Sequence, residues 1–216
     1  GAVAALNYAV ANGAVISNNS WGGGGFSSAL DTAIRNARAA GHIFVAAAGN
    51  AGANNNTTAN YPANYNYDNV VAVAAVDRSN NLASFSNYGS TSVELAAPGV
   101  AILSTTPNGT YSTYDGTSMA TPHVTGALAL VRELRPDWTY RQVIDRVLAT
   151  VDPLTSLQGK TITGGRLNVG RAVDGLGTPA TDAMGPRVLS ARKLGPSDSV
   201  MDGVELARHV GRLPRP

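Results

Sequence analysis

The chain has 216 residues, of which 14% are charged, 44% are hydrophobic and 24 are glycine, with a formal net charge of +2. The hydrophobic content excludes a disordered chain, the absence of Cys excludes disulfides, thiolate metal sites and a Cys nucleophile, and the absence of any 18-residue apolar run excludes a membrane-spanning helix. The excess charge marks no nucleic-acid surface: residues 1–180 carry ten basic and ten acidic side chains, and residues 181–216 carry six and four.

The elements follow in chain order. Position 1 is Gly, and the N-terminus reads as cut or processed. Ala4 to Asn12 reads as the end of an amphipathic helix stopped by Gly13. Ala14 to Asn18 is a short apolar run, expected as a buried strand, and Trp21-Gly22-Gly23-Gly24-Gly25 is a glycine loop. Ser27 or Ser28 caps an expected helix from Ala29 to Ala40, stopped by Gly41. His42 to Ala48 is a second buried strand that ends at Gly49-Asn50. This alternation of strand, helix and strand predicts an α/β fold with a mostly parallel sheet.

An Asn- and Tyr-rich loop spans Asn54 to Asn69, and a third buried strand spans Val70 to Val76. Glu94 to Gly99 and Val100 to Thr105 predict a bend and another strand, with a hairpin turn at Asn108-Gly109. The longest helix is expected over Thr117 to Leu134, ended by Arg135-Pro136, and another over Tyr140 to Thr150. Gly164 to Val173 reads as a short strand and a turn of helix. The domain is expected over residues 1–175, with a linker and tail over residues 176–216.

The chemistry is concentrated in the run from Asp115 through Ser118 to Gly126, where a Ser opens an apolar helix directly after a glycine turn. A helix start presents free backbone N–H groups and the positive end of the dipole, both of which stabilise negative charge on a substrate carbonyl oxygen. The plainer reading of Ser118 or Thr117 is a helix cap. Asn50 has two readings as well. It is either a turn residue or an amide donor at the C-terminal end of a parallel strand, where open α/β sheets hold their sites.

The run Gly116-Thr117-Ser118-Met119-Ala120, with Pro122 and His123, resembles the nucleophile signature of the subtilisin-like serine protease family (subtilases, peptidase S8 type). Other segments match in the family's order. Ser20-Trp21-Gly22-Gly23 resembles the edge strand that pairs with an extended substrate. Ala46-Ala47-Ala48-Gly49-Asn50 resembles the wall of the specificity pocket and its oxyanion-hole Asn. Tyr61-Pro62-Ala63 resembles the loop behind that pocket, and Ser84 to Gly89 and Ala97-Pro98-Gly99 resemble family turns near the core. The resemblance covers about residues 4–175, the C-terminal part of such a domain, with the N-terminal strands of the three-layer fold absent.

The resemblance implies a serine endopeptidase in which Ser118 and Asn50 are catalytic and Ser20, Trp21, Gly22, Ala47, Ala48, Gly49 and Thr117 bind substrate. It further implies an extended polypeptide as partner, a secreted monomer, no contact with nucleic acid or membrane, and no cofactor in catalysis. Members of the family often bind a structural calcium ion, and the loop Tyr61–Val70 with Asp68, together with Glu94, is where the resemblance would place one; the plainer reading is a solvated Asn-rich loop, no carboxylate cluster has a calcium spacing, and no metal residue is assigned. The family's Asp-Thr-Gly and His-Gly-Thr strings do not occur. His42 reads as a partly buried structural residue and His209 lies in the tail. His123 sits about 140° around the helix from Ser118, at a family position that packs inside the domain. Two functions therefore stand side by side: an endopeptidase whose Asp and His are missing from this chain, and a non-catalytic pseudoprotease that binds extended peptides.

Overall fold

The computed structural model describes residues 1–177, so the expected tail and its His209 lie outside the described residues. Helix α1 (Ala2–Ala11) ends at Asn12, and strand β1 (Ile16–Asn19) follows. Strand β1 starts two residues later than the apolar run suggested; the Ala14 carbonyl meets the ring of His42 at 2.7 Å, and the Val15 carbonyl accepts the Ile43 N–H. Helix α2 (Ser28–Ala39) is capped by Ser27, whose Oγ accepts from the Leu30 N–H. Strands β2 (Ile43–Ala47) and β3 (Val70–Val76) are wholly buried. Strand β4 (Leu95–Pro98) leads to a hairpin of β5 (Ile102–Thr106) and β6 (Thr110–Tyr114). The expected turn at Asn108-Gly109 closes this hairpin, which stands as a separate two-stranded sheet. Helix α3 (Thr117–Leu134) has the bounds expected from sequence, and α4 (Tyr140–Ala149) ends one residue early. Short strands β7 (Asp152–Pro153) and β8 (Gly165–Arg166) and helix α5 (Val169–Val173) complete the described chain.

The main sheet runs β1-β2-β3-β4-β8-β7, parallel except for the β7–β8 pair. Its layering follows from the two-residue period of a strand. In β3, Val71, Val73 and Ala75 join a core with α3 residues Ala120, Val124, Ala127, Leu128 and Val131. Val70, Ala72, Ala74 and Val76 face the opposite way, into a core with Leu30, Ile34 and Ala37 of α2 and Leu6 of α1. The strands read as continuous apolar runs because both faces are covered. All four parallel strands β1 to β4 therefore point their C-terminal ends toward one rim, and α3 begins at that rim.

Candidate active site

Strand β2 delivers Ala48-Gly49-Asn50 to the rim, and the turn before α3 delivers Thr117-Ser118. The two segments are bolted together. Thr117 donates its backbone N–H and its hydroxyl to Asn50 Oδ1, each at 2.9 Å, and its Oγ1 accepts the Gly49 N–H at 3.2 Å. Asn50 thus supplies a cap from outside the helix, satisfying one of the free N–H groups of the first turn. The same contact fixes the carboxamide: with Oδ1 engaged, Nδ2 is the end left to donate. Among the described residues no acceptor meets Asn50 Nδ2 or the Ser118 N–H. The Nδ2 lies 3.6 Å from where a Cβ on Gly116 would stand, and so does the Ser118 nitrogen. Two unengaged donors therefore flank one turn at a helix start. That arrangement stabilises an oxyanion.

Ser118 is half-buried at the start of α3, and it is tied to Ser20, the residue after β1. Ser118 donates its hydroxyl to the Ser20 carbonyl at 3.2 Å, and Ser20 donates its own to the Ser118 carbonyl at 2.8 Å. Asn18 Nδ2 donates to Ser20 Oγ, and Thr125 of α3 donates to Asn18 Oδ1. Trp21 beyond it is exposed. Gly22 lies against the next loop: a Cβ there would sit 3.1 Å from the Tyr61 carbonyl and 3.3 Å from Asn60 Nδ2. The Gly23 N–H donates to that same Tyr61 carbonyl. Of the nine expected residues, the structure joins Ser20, Gly49, Asn50, Thr117 and Ser118 by direct hydrogen bonds. Ala47 and Ala48 are buried in the wall leading to them, and Trp21 and Gly22 lie beside them on the glycine loop.

Three asparagines that sequence reasoning left as loop residues hold the wall in place. Asn55 and Asn60 each donate Nδ2 to the Ala48 carbonyl, at 2.9 and 3.0 Å. Asn87 Oδ1 accepts from the N–H groups of Ala51 and Ala53, and its Nδ2 donates to Asn55 Oδ1. Gly49 is obligatory within this frame. Its φ is +115°, and a Cβ would stand 2.5 Å from Asn87 Nδ2.

Neither described histidine serves Ser118. His42 is buried at the far end of the sheet. Its Nδ1 meets the Ala14 carbonyl, which can only accept, so Nε2 is the acceptor of the Ser17 hydroxyl at 2.8 Å. Burial holds its pKa below the ordinary value. His123 corrects the expectation of an internal packing position: it is exposed on the face of α3 turned away from the sheet, with Nδ1 on the Met119 carbonyl at 2.9 Å. Asp115 is engaged elsewhere, its Oδ1 accepting the Ala101 N–H at 2.6 Å.

Asp68 and Glu94, the carboxylates of the segments where the resemblance would place calcium, are both engaged by protein groups. Asp68 is ion-paired with both Arg38 and Arg141 and accepts from the Tyr140 hydroxyl. Glu94 Oε2 accepts the Ala72 N–H at 2.5 Å, and burial pushes its pKa up to about 7. No three His, Cys, Asp or Glu side chains gather for a metal among the described residues. No described helix is long and apolar enough to cross a membrane.

The subtilase family profile matches residues 2–179. A subtilisin from Bacillus pumilus is 46% identical over 152 residues, 70% of this chain and 54% of that protein. Subtilisin NAT of Bacillus subtilis subsp. natto is 47% identical over 146 residues, 67% of this chain and 38% of that protein. Among solved structures, a protease of Pseudoalteromonas arctica PAMC 21717 superposes with a TM-score of 0.69 at 34% identity, covering 77% of this chain and 52% of its own. The prenylagaramide maturation protease PagA superposes with a TM-score of 0.70 at 31% identity, covering 82% and 67%. The chain thus spans between about a third and a half of the curated relatives it matches. On this profile and these identities, the chain belongs to the subtilase family.

Proposed function

We propose that this chain carries the nucleophile and the oxyanion hole of a serine endopeptidase, and that Ser118 forms an acyl-enzyme with the substrate. The observation that carries the reading is the Asn50 carboxamide, locked by Thr117 through its oxygen with Nδ2 unengaged next to the Ser118 N–H. An extended polypeptide lies along Ser20 to Gly22 as an added strand, using main-chain hydrogen bonds. Its scissile carbonyl is polarised by Asn50 Nδ2 and the Ser118 N–H. The Ser118 Oγ gives its proton to a base as it attacks the carbonyl carbon, the tetrahedral oxyanion rests on those two donors, and collapse breaks the C–N bond as the leaving amine takes that proton from the base. Water then hydrolyses the ester. Ala47, Ala48 and Gly49 wall the pocket for the side chain preceding the cut bond.

Attack requires a group that accepts the Oγ proton, and the only described partner of that hydroxyl is the Ser20 carbonyl, which is no base. We therefore assign the base and its orienting carboxylate to polypeptide outside the described residues, and expect residues 1–216 by themselves to hydrolyse peptides negligibly. The whole protease works as a secreted monomer on extended polypeptide, with neither nucleic acid nor membrane as partner. The same lack of a base supports the second reading, a pseudoprotease that binds extended peptides without cutting them.

The test is hydrolysis of a fluorogenic peptide by the purified chain and its Ser118→Ala variant, with peptide binding followed in parallel. Turnover at background in both fits the assignment. Robust turnover that Ser118→Ala abolishes overturns the claim that the base lies elsewhere. Adding the upstream half of a family domain separates the two readings: restored cleavage at Ser118 supports the endopeptidase, and binding with no cleavage supports the pseudoprotease.

A further inference from the structure

The sequence contains two Asn-Gly pairs, Asn12-Gly13 and Asn108-Gly109, both exposed, and the fold engages the carboxamide of one and not of the other. Asn12 closes α1, and its Nδ2 donates to the Tyr8 carbonyl at 2.8 Å. Asn108 stands at the tip of the β5–β6 hairpin, exposed, with φ 66° and ψ 27°. Among the described residues its carboxamide has no hydrogen-bond partner. Gly109 is exposed as well, and a Cβ there would meet nothing within 4 Å. The strands below the tip are fixed: five residue pairs join β5 to β6, and the Thr106 and Thr110 hydroxyls meet at 2.6 Å.

We infer that Asn108 is a site of spontaneous deamidation, a covalent modification that the fold permits there and restrains at Asn12. The Gly109 main-chain nitrogen, deprotonated by hydroxide, attacks Asn108 Cγ. The new C–N bond closes a five-membered succinimide, the Cγ–Nδ2 bond breaks, and Nδ2 leaves as ammonia after taking a proton from water. A water molecule then opens the ring at either carbonyl, giving aspartate or isoaspartate. The sum is one water consumed and one ammonia released, with no oxidant and no cofactor. Glycine at the attacking position puts no side chain in the way, and both residues of the pair are exposed at the tip. At Asn12 the same closure must first break the bond to Tyr8 and disturb the end of α1.

The product places a carboxylate in a stretch without charge, since no Asp, Glu, Lys or Arg lies between Glu94 and Asp115. The isoaspartyl form also adds a main-chain bond to a turn whose strands run directly into Asp115 and Ser118. Aged protein therefore carries one negative charge more than fresh protein.

The experiment ages the full chain at mildly alkaline pH and maps peptides by mass, alongside the chain held unfolded in guanidinium and the variant Asn108→Ser. The expected result is a gain of about one dalton on the Asn108 peptide well before the Asn12 peptide in the folded chain, at a rate that rises with pH. A matching acidic band on isoelectric focusing should be absent from Asn108→Ser. In the unfolded chain the two sites should react at similar rates. Equal rates in the folded chain, Asn12 reacting first, or no gain at Asn108 while the unfolded chain reacts there, would each overturn the inference.

Discussion

Thr117 gives both its main-chain N–H and its hydroxyl to a single atom, Asn50 Oδ1, at 2.9 Å each. A carboxamide can flip to exchange its oxygen and nitrogen; with two donors on one end it cannot do so without losing both bonds. Thr117→Val keeps the main-chain bond and removes the hydroxyl. The hydroxyl makes two bonds, one to Asn50 Oδ1 and one from the Gly49 N–H; in a preparation that hydrolyses peptides, kcat is expected to fall by at least about tenfold with little change in KM, as the oriented donor loses its side-chain anchor. Asn50→Ala removes the donor itself, and the expected loss in kcat is about 10²–10³, a magnitude that comes from subtilisin's own oxyanion-hole Asn. An unchanged kcat in Thr117→Val would show that Asn50 is oriented by something else.

Gly49→Ala places a methyl where Asn87 Nδ2 stands 2.5 Å away, at a φ of +115°. Both strain and overlap oppose it, and the overlapped atom belongs to a side chain held by three hydrogen bonds. Denaturant unfolding should show a loss of at least about 2 kcal/mol. Ala47→Gly, on the same wall, has no such clash to relieve and serves as the comparison.

The pH dependence of stability has two opposed contributions. His42 has its pKa lowered by burial from 6.5, so the unfolded chain takes up the proton first. Stability from this residue is intact above pH 6.5 and falls as the pH drops below it. Thermal unfolding of His42→Asn should lack that part of the acid decline.

Glu94 acts the other way. Burial raises its pKa from 4.5 to about 7, so the folded chain holds the proton longer than the unfolded one. Its stability contribution is full below pH 4.5 and is lost as the pH rises through 7. Glu94→Gln keeps an oxygen for the Ala72 N–H without the charge, and should melt higher than the parent at pH 8 and not at pH 4. A parent that is equally stable at both pH values relative to the variant would contradict the buried-carboxyl account.

Helix α4 starts with a capping box: Thr139 Oγ1 accepts the Gln142 N–H, and Gln142 Oε1 accepts the Thr139 N–H at 2.9 Å. Thr139→Ala should cost about 1 kcal/mol in denaturant unfolding and leave peptide binding unchanged, since α4 contributes no residue to the rim.

The sequence alone determined the elements whose signals are local. Strand β3 and helix α3 kept their expected bounds because a continuous apolar run of Val and Ala and a long apolar helix between a glycine and a proline leave few alternatives. The run around Ser118 pointed to the family, since its residues are contiguous. Tertiary structure alone decided the rest, for reasons of distance along the chain. The bond between Thr117 and Asn50 spans 67 residues and that between Ser118 and Ser20 spans 98. Asn55, Asn60 and Asn87 bond to main-chain groups that no periodicity marks, so they read only as loop. His123 was expected inside and lies outside, because a helix pattern tells which face is apolar and not what covers each face. Asp68 read as one carboxylate in an Asn-rich loop, and its ion pairs are with Arg38 and Arg141, which approach from two different helices. Local patterns set where each element begins and ends; which side chains then meet depends on how the layers stack, a non-local outcome of burying both faces of one sheet.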